Sequence, residues 1–363
     1  MNGTARHLDA LTGIRGIAAW LVVLYHIRLA LTVLLPADVI AVLARGYLAV
    51  DLFFMLSGFV IWYNYADRLR EDGAAAARLF LWRRFARVWP LHAVILVAFM
   101  AFVALLLATG RPAPGYPLGE LPLHLLLVQN WGLTSALAWN HPAWSISTEF
   151  AAYLLFPLLV QLRWARLSAP ALVLLAVVLL AAVHLLFALT GHQNLGDAIP
   201  QLGLWRCLAG FALGNVLCLL WQHWRGRHGL AVVAGAGSLA IAGLGLALQL
   251  PETAFVPAAF FSGLLALALG QGPIVRLLGS RVLTRLGEIS YSTYLAHFLL
   301  WIVWKLLFVD ASLQLGWGSL AGFLATVLGA SILLYHWVEK PAQRWLNARP
   351  PRWAMRPAAV PAE

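Results

Sequence analysis

Residues 11–27 read LTGIRGIAAWLVVLYHI. With its flanks this apolar stretch is long enough to span a bilayer, which takes about 20 residues of helix. It nevertheless contains Arg15 and His26. Ionisable groups inside a membrane span are costly, so they mark candidate functional positions. Eleven residues separate the two. That is close to three turns at about 3.6 residues per turn, which predicts both on one helix face. Their Cα atoms are then roughly 16 Å apart along the axis. One group belongs near one membrane surface and the other well across the hydrocarbon, an arrangement suited to two reactants arriving from opposite sides.

The remaining composition agrees with a membrane setting. Of 363 residues, 62% are hydrophobic and 11% charged, with mean hydropathy +0.82. Soluble domains average about 25% charged residues. A net charge of +11 would suggest nucleic acid in a soluble protein; here it is read as an orientation signal, with no nucleic-acid partner expected. Cys207 and Cys218 share one apolar segment and form no disulfide or CxxC framework, and no metal-ligand spacing is present. The polar start, MNGTARHLDA, lacks a signal-peptide cleavage pattern, so the first span is expected to be retained.

About ten spans are predicted, near 11–35, 46–66, 81–108, 146–162, 170–190, 203–221, 229–249, 253–270, 290–309 and 316–338. The fourth is short, and 120–134 is its rival. Basic residues recur in alternate connections: Arg68, Arg70, Arg78, Arg83, Arg84 and Arg87; Arg163 and Arg166; Arg225 and Arg227; Arg276, Arg281 and Arg285; and a tail with Lys340, Arg344, Arg349, Arg352 and Arg356. The other loops are nearly bare, apart from Arg111 and Arg45. This alternation predicts cytoplasmic termini. The fold class is therefore an all-α bundle, one transmembrane domain over residues 1–363, with no repeat and no appended soluble domain.

In that topology His26, Asp51 and Glu149 are expected at similar depth toward the outer side. A histidine held by a carboxylate can act as general base toward a hydroxyl; a structural role for each carboxylate is the plain alternative. In WRRFARVWPLH, Arg83, Arg84 and Arg87 are expected on one face, as a phosphate cradle or as simple membrane anchors. Arg206 is expected near the outer end of its span, binding an acidic acceptor or pairing with Asp197. Ser57, Ser292, Tyr153, Tyr291, His297, His336 and Glu339 are further polar positions that packing or helix bonding would also explain.

These pieces, in order, resemble the acyltransferase-3 family of bacterial membrane O-acyltransferases. The carriers are the Arg15/His26 pair, GYLAVDLFFMLSGFVI (46–61), RRFARVWP (83–90), VQNWG followed by WSISTEFAAY (144–153), LGEISYSTYLAH (286–297) and VEKP (338–341). Two departures stand out: Ile146 replaces the usual leucine of Trp-Ser-Leu, and Phe150 stands where many members carry a second glutamate. The resemblance implies a multi-pass protein of the bacterial inner membrane. It also implies an acyl-CoA donor, above all acetyl-CoA, bound from the cytoplasm, with a hydroxyl of a cell-surface or lipid-linked glycan as acceptor. The implied roles are His26 as base, Asp51 or Glu149 orienting it, and Arg15, Arg83, Arg84 and Arg87 on the CoA phosphates. Substrate contacts would fall to Arg206, Tyr153, Ser57, Tyr291 and His297. The alternatives are transport of a lipid-linked sugar or small anion, transfer of another acyl group such as succinyl, or a small-molecule acceptor.

Overall fold

The structure is a computed structural model that describes residues 3–355, with side chains from residue 9 onward. Arg356 of the expected basic tail lies outside the described residues. The regular secondary structure of the described residues is all helical. Its helices are α1 (Gly3–Ile27), α2 (Ala37–Leu43), α3 (Ala49–Ala108), α4 (Leu121–Leu125), α5 (Ala143–Gln161), α6 (Ala169–Leu189) and α7 (Ile199–Trp224). They continue with α8 (His228–Ala247), α9 (Glu252–Leu269), α10 (Pro273–Leu278), α11 (Arg281–Glu288), α12 (Ser290–Phe308), α13 (Trp317–Leu334) and α14 (Lys340–Ala348). Nine helical segments among the described residues are long and apolar enough to cross a membrane.

One of the nine, within residues 37–108, is far too long for a single crossing. It contains α3, which breaks at Gly73 (φ 51°, ψ −127°). Only glycine adopts that backbone without strain. The chain doubles back there. Tyr65 and Phe80 have ring centroids 5.1 Å apart, although an unbroken helix would hold residues fifteen apart about 22 Å from each other. The guanidinium of Arg84 also reaches Tyr65 Oη at 2.8 Å. The two arms of α3 correspond to the second and third predicted spans.

Other boundaries move. α1 ends at Ile27, and Arg28–Leu31 continue as a single 3₁₀ turn, so the first apolar run is shorter than 11–35. α5 begins at Ala143, three residues before the predicted start, which carries Glu149 a turn deeper. The segment 120–134 is not a span: it holds only the short α4 and then loop, with Leu127 and Gly132 at positive φ.

α7 runs through the middle of the bundle, buried along most of its length. It meets the first arm of α3 by backbone contact. A Cβ on Gly58 would lie 2.0 Å from Phe211 O, and one on Gly214 2.0 Å from Met55 O. Glycine is needed at both because no side-chain atom fits between the two backbones.

The basic segments gather at one end. The first turns of α1 pack on α10 and α11, with Gly13 against Leu278 and Gly16 against Gly287. α14 lies on the second arm of α3, where Trp82 Nε1 donates to Leu346 O and its ring meets Trp353. The Gly73 turn heads the same arm. A π-helical turn, Tyr335–Glu339, joins α13 to α14 and leaves Glu339 buried.

Replacing Gly58 or Gly214 with Ala should lower the melting temperature of the detergent-purified protein, with an overpacking cost of about 1–3 kcal/mol. Gly237→Ala, where an added Cβ meets nothing within 4 Å, should be neutral or stabilising, because glycine costs a helix about 1 kcal/mol against alanine.

Candidate active site

Two cavities lie along the bundle. The inner one, about 120 Å³, sits toward the basic end. α1 supplies Arg15; the two arms of α3 supply Ser57, Arg84 and Arg87; α5 supplies Glu149 and Tyr153; α12 supplies Ser290, Tyr291 and Tyr294. Two of its three guanidiniums have protein partners. Arg87 bonds Glu339, which is 2% exposed and whose other oxygen accepts from Ser292 Oγ at 2.7 Å. Arg84 donates to Tyr65, but its buried Nε has no partner. Arg15 makes no hydrogen bond and no ion pair with any described residue. Glu149 accepts a 2.6 Å bond from Tyr153 Oη, which lies 3.3 Å from Ser57 Oγ. The walls are otherwise apolar, with Phe53, Leu56 and Val60 among them. A narrow apolar space rimmed by unspent guanidinium suits a slender chain carrying an anionic group.

The outer cavity is larger, about 430 Å³. His26, Arg28, Tyr25, Tyr47, His141 and Asp197 face it. Here the histidine geometry assigns protons. His297, fully buried on α12, has Nδ1 3.2 Å from Thr293 O. A carbonyl only accepts, so Nδ1 carries the hydrogen and His297 Nε2 is an acceptor. His26 Nδ1 lies 2.8 Å from Val22 O and 3.2 Å from that Nε2. Its Nδ1–H therefore serves both. On this assignment His26 Nε2 keeps its lone pair; it has no hydrogen bond to any described residue and belongs to a ring lining the cavity. That is the form a general base requires.

The partners differ from those expected of the sequence. Asp51 does not hold His26. Both its oxygens are taken by Arg206, from Nε at 2.7 Å and Nη2 at 2.6 Å. Both residues are 3% exposed, and in so dry a place a carboxylate and a guanidinium pair in preference to any neutral partner. The third Arg206 nitrogen donates to Leu195 O at 2.7 Å. So Arg206 pairs with Asp51, not Asp197, and its donor capacity is largely spent, although it reaches the outer cavity. Asp197 caps its own loop, accepting from Asn194. Glu149 faces the inner cavity, not His26, because α5 starts earlier than expected. Arg83 does not line the inner cavity; at about 100° per residue it lies on the far flank of Arg87 from Arg84. Arg15 and His26 both turn to protein-lined space, but to two cavities rather than one passage. Ser57, Tyr153 and Tyr291 all face the inner cavity, and His297 backs His26.

Several lining residues carried no signal in the sequence. Tyr25 on α1 and Arg28 in the 3₁₀ turn that follows it flank His26. Tyr47 bonds Glu252. His141 stacks on Phe298, with centroids 4.8 Å apart. Tyr294, inside a quoted motif, lines both cavities. Its position follows from the 3.6-residue period of α12, once Tyr291 and His297 are both known to face inward.

Residues 8–336 match the family described as acyltransferase domain. The chain is similar to "Acyltransferase MdmB" from Streptomyces mycarofaciens, 32% identical, covering 95% of this chain and 94% of that protein. It is also similar to "Protein 2 in picA locus" from Rhizobium radiobacter, 38% identical over 38% of this chain and 75% of that protein. No solved structure matches. Two cavities meeting inside an apolar helical bundle, an open imidazole nitrogen and a match over nearly the whole chain lead to one conclusion: the chain belongs to the acyltransferase-3 family, and is a multi-pass membrane acyltransferase.

Proposed function

We propose that the protein crosses the bacterial inner membrane ten times with both termini cytoplasmic, and transfers an acyl group, above all acetyl, from cytoplasmic acyl-CoA to a hydroxyl of a glycan that is lipid-linked or on the cell surface. The orientation is supported by the gathering of basic segments at the end where the inner cavity lies. The observation that carries the chemistry is the His26 ring lining the outer cavity with Nδ1 held by Val22 O and His297, which assigns the free lone pair to Nε2.

The donor's phosphates lie at the inner mouth against Arg15 and Arg84, the two guanidiniums with donors to spare. The inner cavity is too narrow for a nucleotide and admits the pantetheine arm. The thioester travels along α1 and α12 toward His26. The acceptor enters the outer cavity, where Tyr25, Tyr47 and Trp144 offer aromatic faces and Arg28, His141 and Asp197 offer polar groups. A volume of about 430 Å³ is in the range of small-ligand pockets, roughly 300–1,000 Å³. His26 Nε2 takes the proton from the acceptor hydroxyl as its oxygen attacks the thioester carbonyl. The carbon–sulfur bond breaks, and the same nitrogen returns the proton to the thiolate. His297 orients the ring and shares the charge it gains. Asp51 and Arg206 act together as a neutral pair that holds the cavity floor, a positioning role rather than proton transfer.

Incubating the purified protein with acetyl-CoA and following thiol release tests the reaction; mass spectrometry of surface glycans with and without the gene identifies the acceptor. His26→Ala should lower kcat by about 10²–10⁴-fold, the usual weight of a general base. His297→Leu should lower kcat by about tenfold or more with KM for the donor unchanged, since an orienting partner acts on the base and not on donor binding. Thiol release at the parental rate from His26→Ala would remove the imidazole from the chemistry.

Arg15→Ala and Arg84→Ala should each raise KM for acetyl-CoA by about tenfold or more, the worth of a charge-assisted hydrogen bond of roughly 1.5–3 kcal/mol. Arg83→Ala should stay within about twofold, because Arg83 does not line the cavity and acts as a half-buried anchor charge. Equal effects at all three would restore a cradle that includes Arg83.

A further inference from the structure

Tyr294 lines both cavities. It is 6% exposed and sits where three helices pass from one chamber to the other. Along α3, Val50 faces the outer cavity and Phe53 the inner; along α5, Trp144 faces the outer and Ser145 the inner. Along α12, Tyr291 faces the inner cavity, Tyr294 both, and His297 backs the base. The six-residue rise from Tyr291 to His297 is about 9 Å, so this one helix face spans the path of the thioester. The Tyr294 and Phe53 rings meet in a T-shaped contact, 5.9 Å between centroids.

Its hydroxyl is latched. Tyr294 Oη is 2.8 Å from Ser145 Oγ and 3.1 Å from Pro142 O, and Ser145 Oγ is 3.1 Å from the same carbonyl. Two hydroxyl protons can satisfy only two of these three contacts at once, so the latch has no surplus donor. It is also tied to the acceptor side, because Pro142 and His141 line the outer cavity. An acceptor pressing on that segment acts directly on the carbonyl that holds the ring.

We infer that Tyr294 is a specificity-determining residue, the shutter that keeps the donor thioester from outer-cavity water until an acceptor is seated. This rests on the donor and acceptor assignment above. Without a shutter, His26 Nε2 would serve water as readily as a sugar hydroxyl. Water oxygen would bond the acyl carbon, the carbon–sulfur bond would break, and the water proton would pass through His26 to the thiolate, giving free acid and CoA. The aromatic ring excludes that reaction, and the latch makes exclusion reversible.

The test uses the full chain in vesicles, with Cys207 and Cys218 replaced by Ala. In Tyr294→Ala, acceptor-independent thiol release from acetyl-CoA should rise about tenfold or more, and acylated acceptor per thiol should fall, as water gains entry. Adding His26→Ala should suppress that release. Tyr294→Phe, which keeps the ring and loses the latch, should leak less than Tyr294→Ala and more than the parent. Ser145→Ala covers the case in which Tyr294→Ala fails to fold, and should also leak. A second readout needs no turnover: Ser57→Cys, in the inner cavity, should resist a membrane-impermeant thiol reagent added on the His26 side with Tyr294 present, and react when Tyr294 is Ala or Phe. Equal modification in all backgrounds, or unchanged partition between hydrolysis and transfer, overturns the shutter. A parent protein that releases no thiol even with acceptor overturns the donor–acceptor reading instead, while the cysteine readout still decides whether Tyr294 separates the chambers.

Discussion

A charge enclosed by hydrocarbon and packed helices must be given a partner, because water is not there to solvate it. The interior is arranged around that demand. Asp51 and Arg206 satisfy each other through two parallel hydrogen bonds. Arg87 and Ser292 satisfy Glu339 across a span of 252 residues in sequence. These pairs tie α3 to α7, and α3 to α12 and the chain after α13. Among the residues lining the two cavities, Arg15, Arg84 Nε and His26 Nε2 have no hydrogen-bond partner among the described residues.

The close approach of α3 and α7 serves the same end. Backbone packed on backbone at Gly58 and Gly214 brings Asp51 on one helix within direct reach of Arg206 on the other. A wider crossing would leave that pair water-mediated or broken, which in a dry interior is far costlier than a lost surface ion pair. Small residues at the crossing and charges flanking it are two parts of one design. The bond between Tyr47 and Glu252 closes the same outer region from the α9 side.

On the proposed reading, the separation into two chambers reconciles a cytoplasmic reactant with an acceptor on the other face. No conformational change of the whole bundle is needed if one aromatic ring stands between them. His26 faces the outer chamber with His297 behind it, and Arg15, Arg84 and Arg87 face the inner. In the proposed reaction a thioester moving from the inner chamber to His26 passes the ring of Tyr294, which lines both chambers.

The all-helical membrane fold was legible in the sequence, because apolar runs of about 20 residues admit no other structure in a bilayer. So was the placement of Arg15 and His26 on α1, because about three turns of helix put them on one face whatever packs against it. Family membership followed from ordered motifs, each of which is local. Pairing was not local. Nothing in the spacing shows that Asp51 would turn to Arg206, that Glu339 would meet Arg87, that His297 would back His26, or that α5 would begin three residues early and carry Glu149 to the inner chamber. Helical periodicity fixes the direction of a side chain relative to its own axis only. The rotation and depth of each helix against its neighbours, set by glycine contacts and by competition among buried charges for partners, decided which groups met.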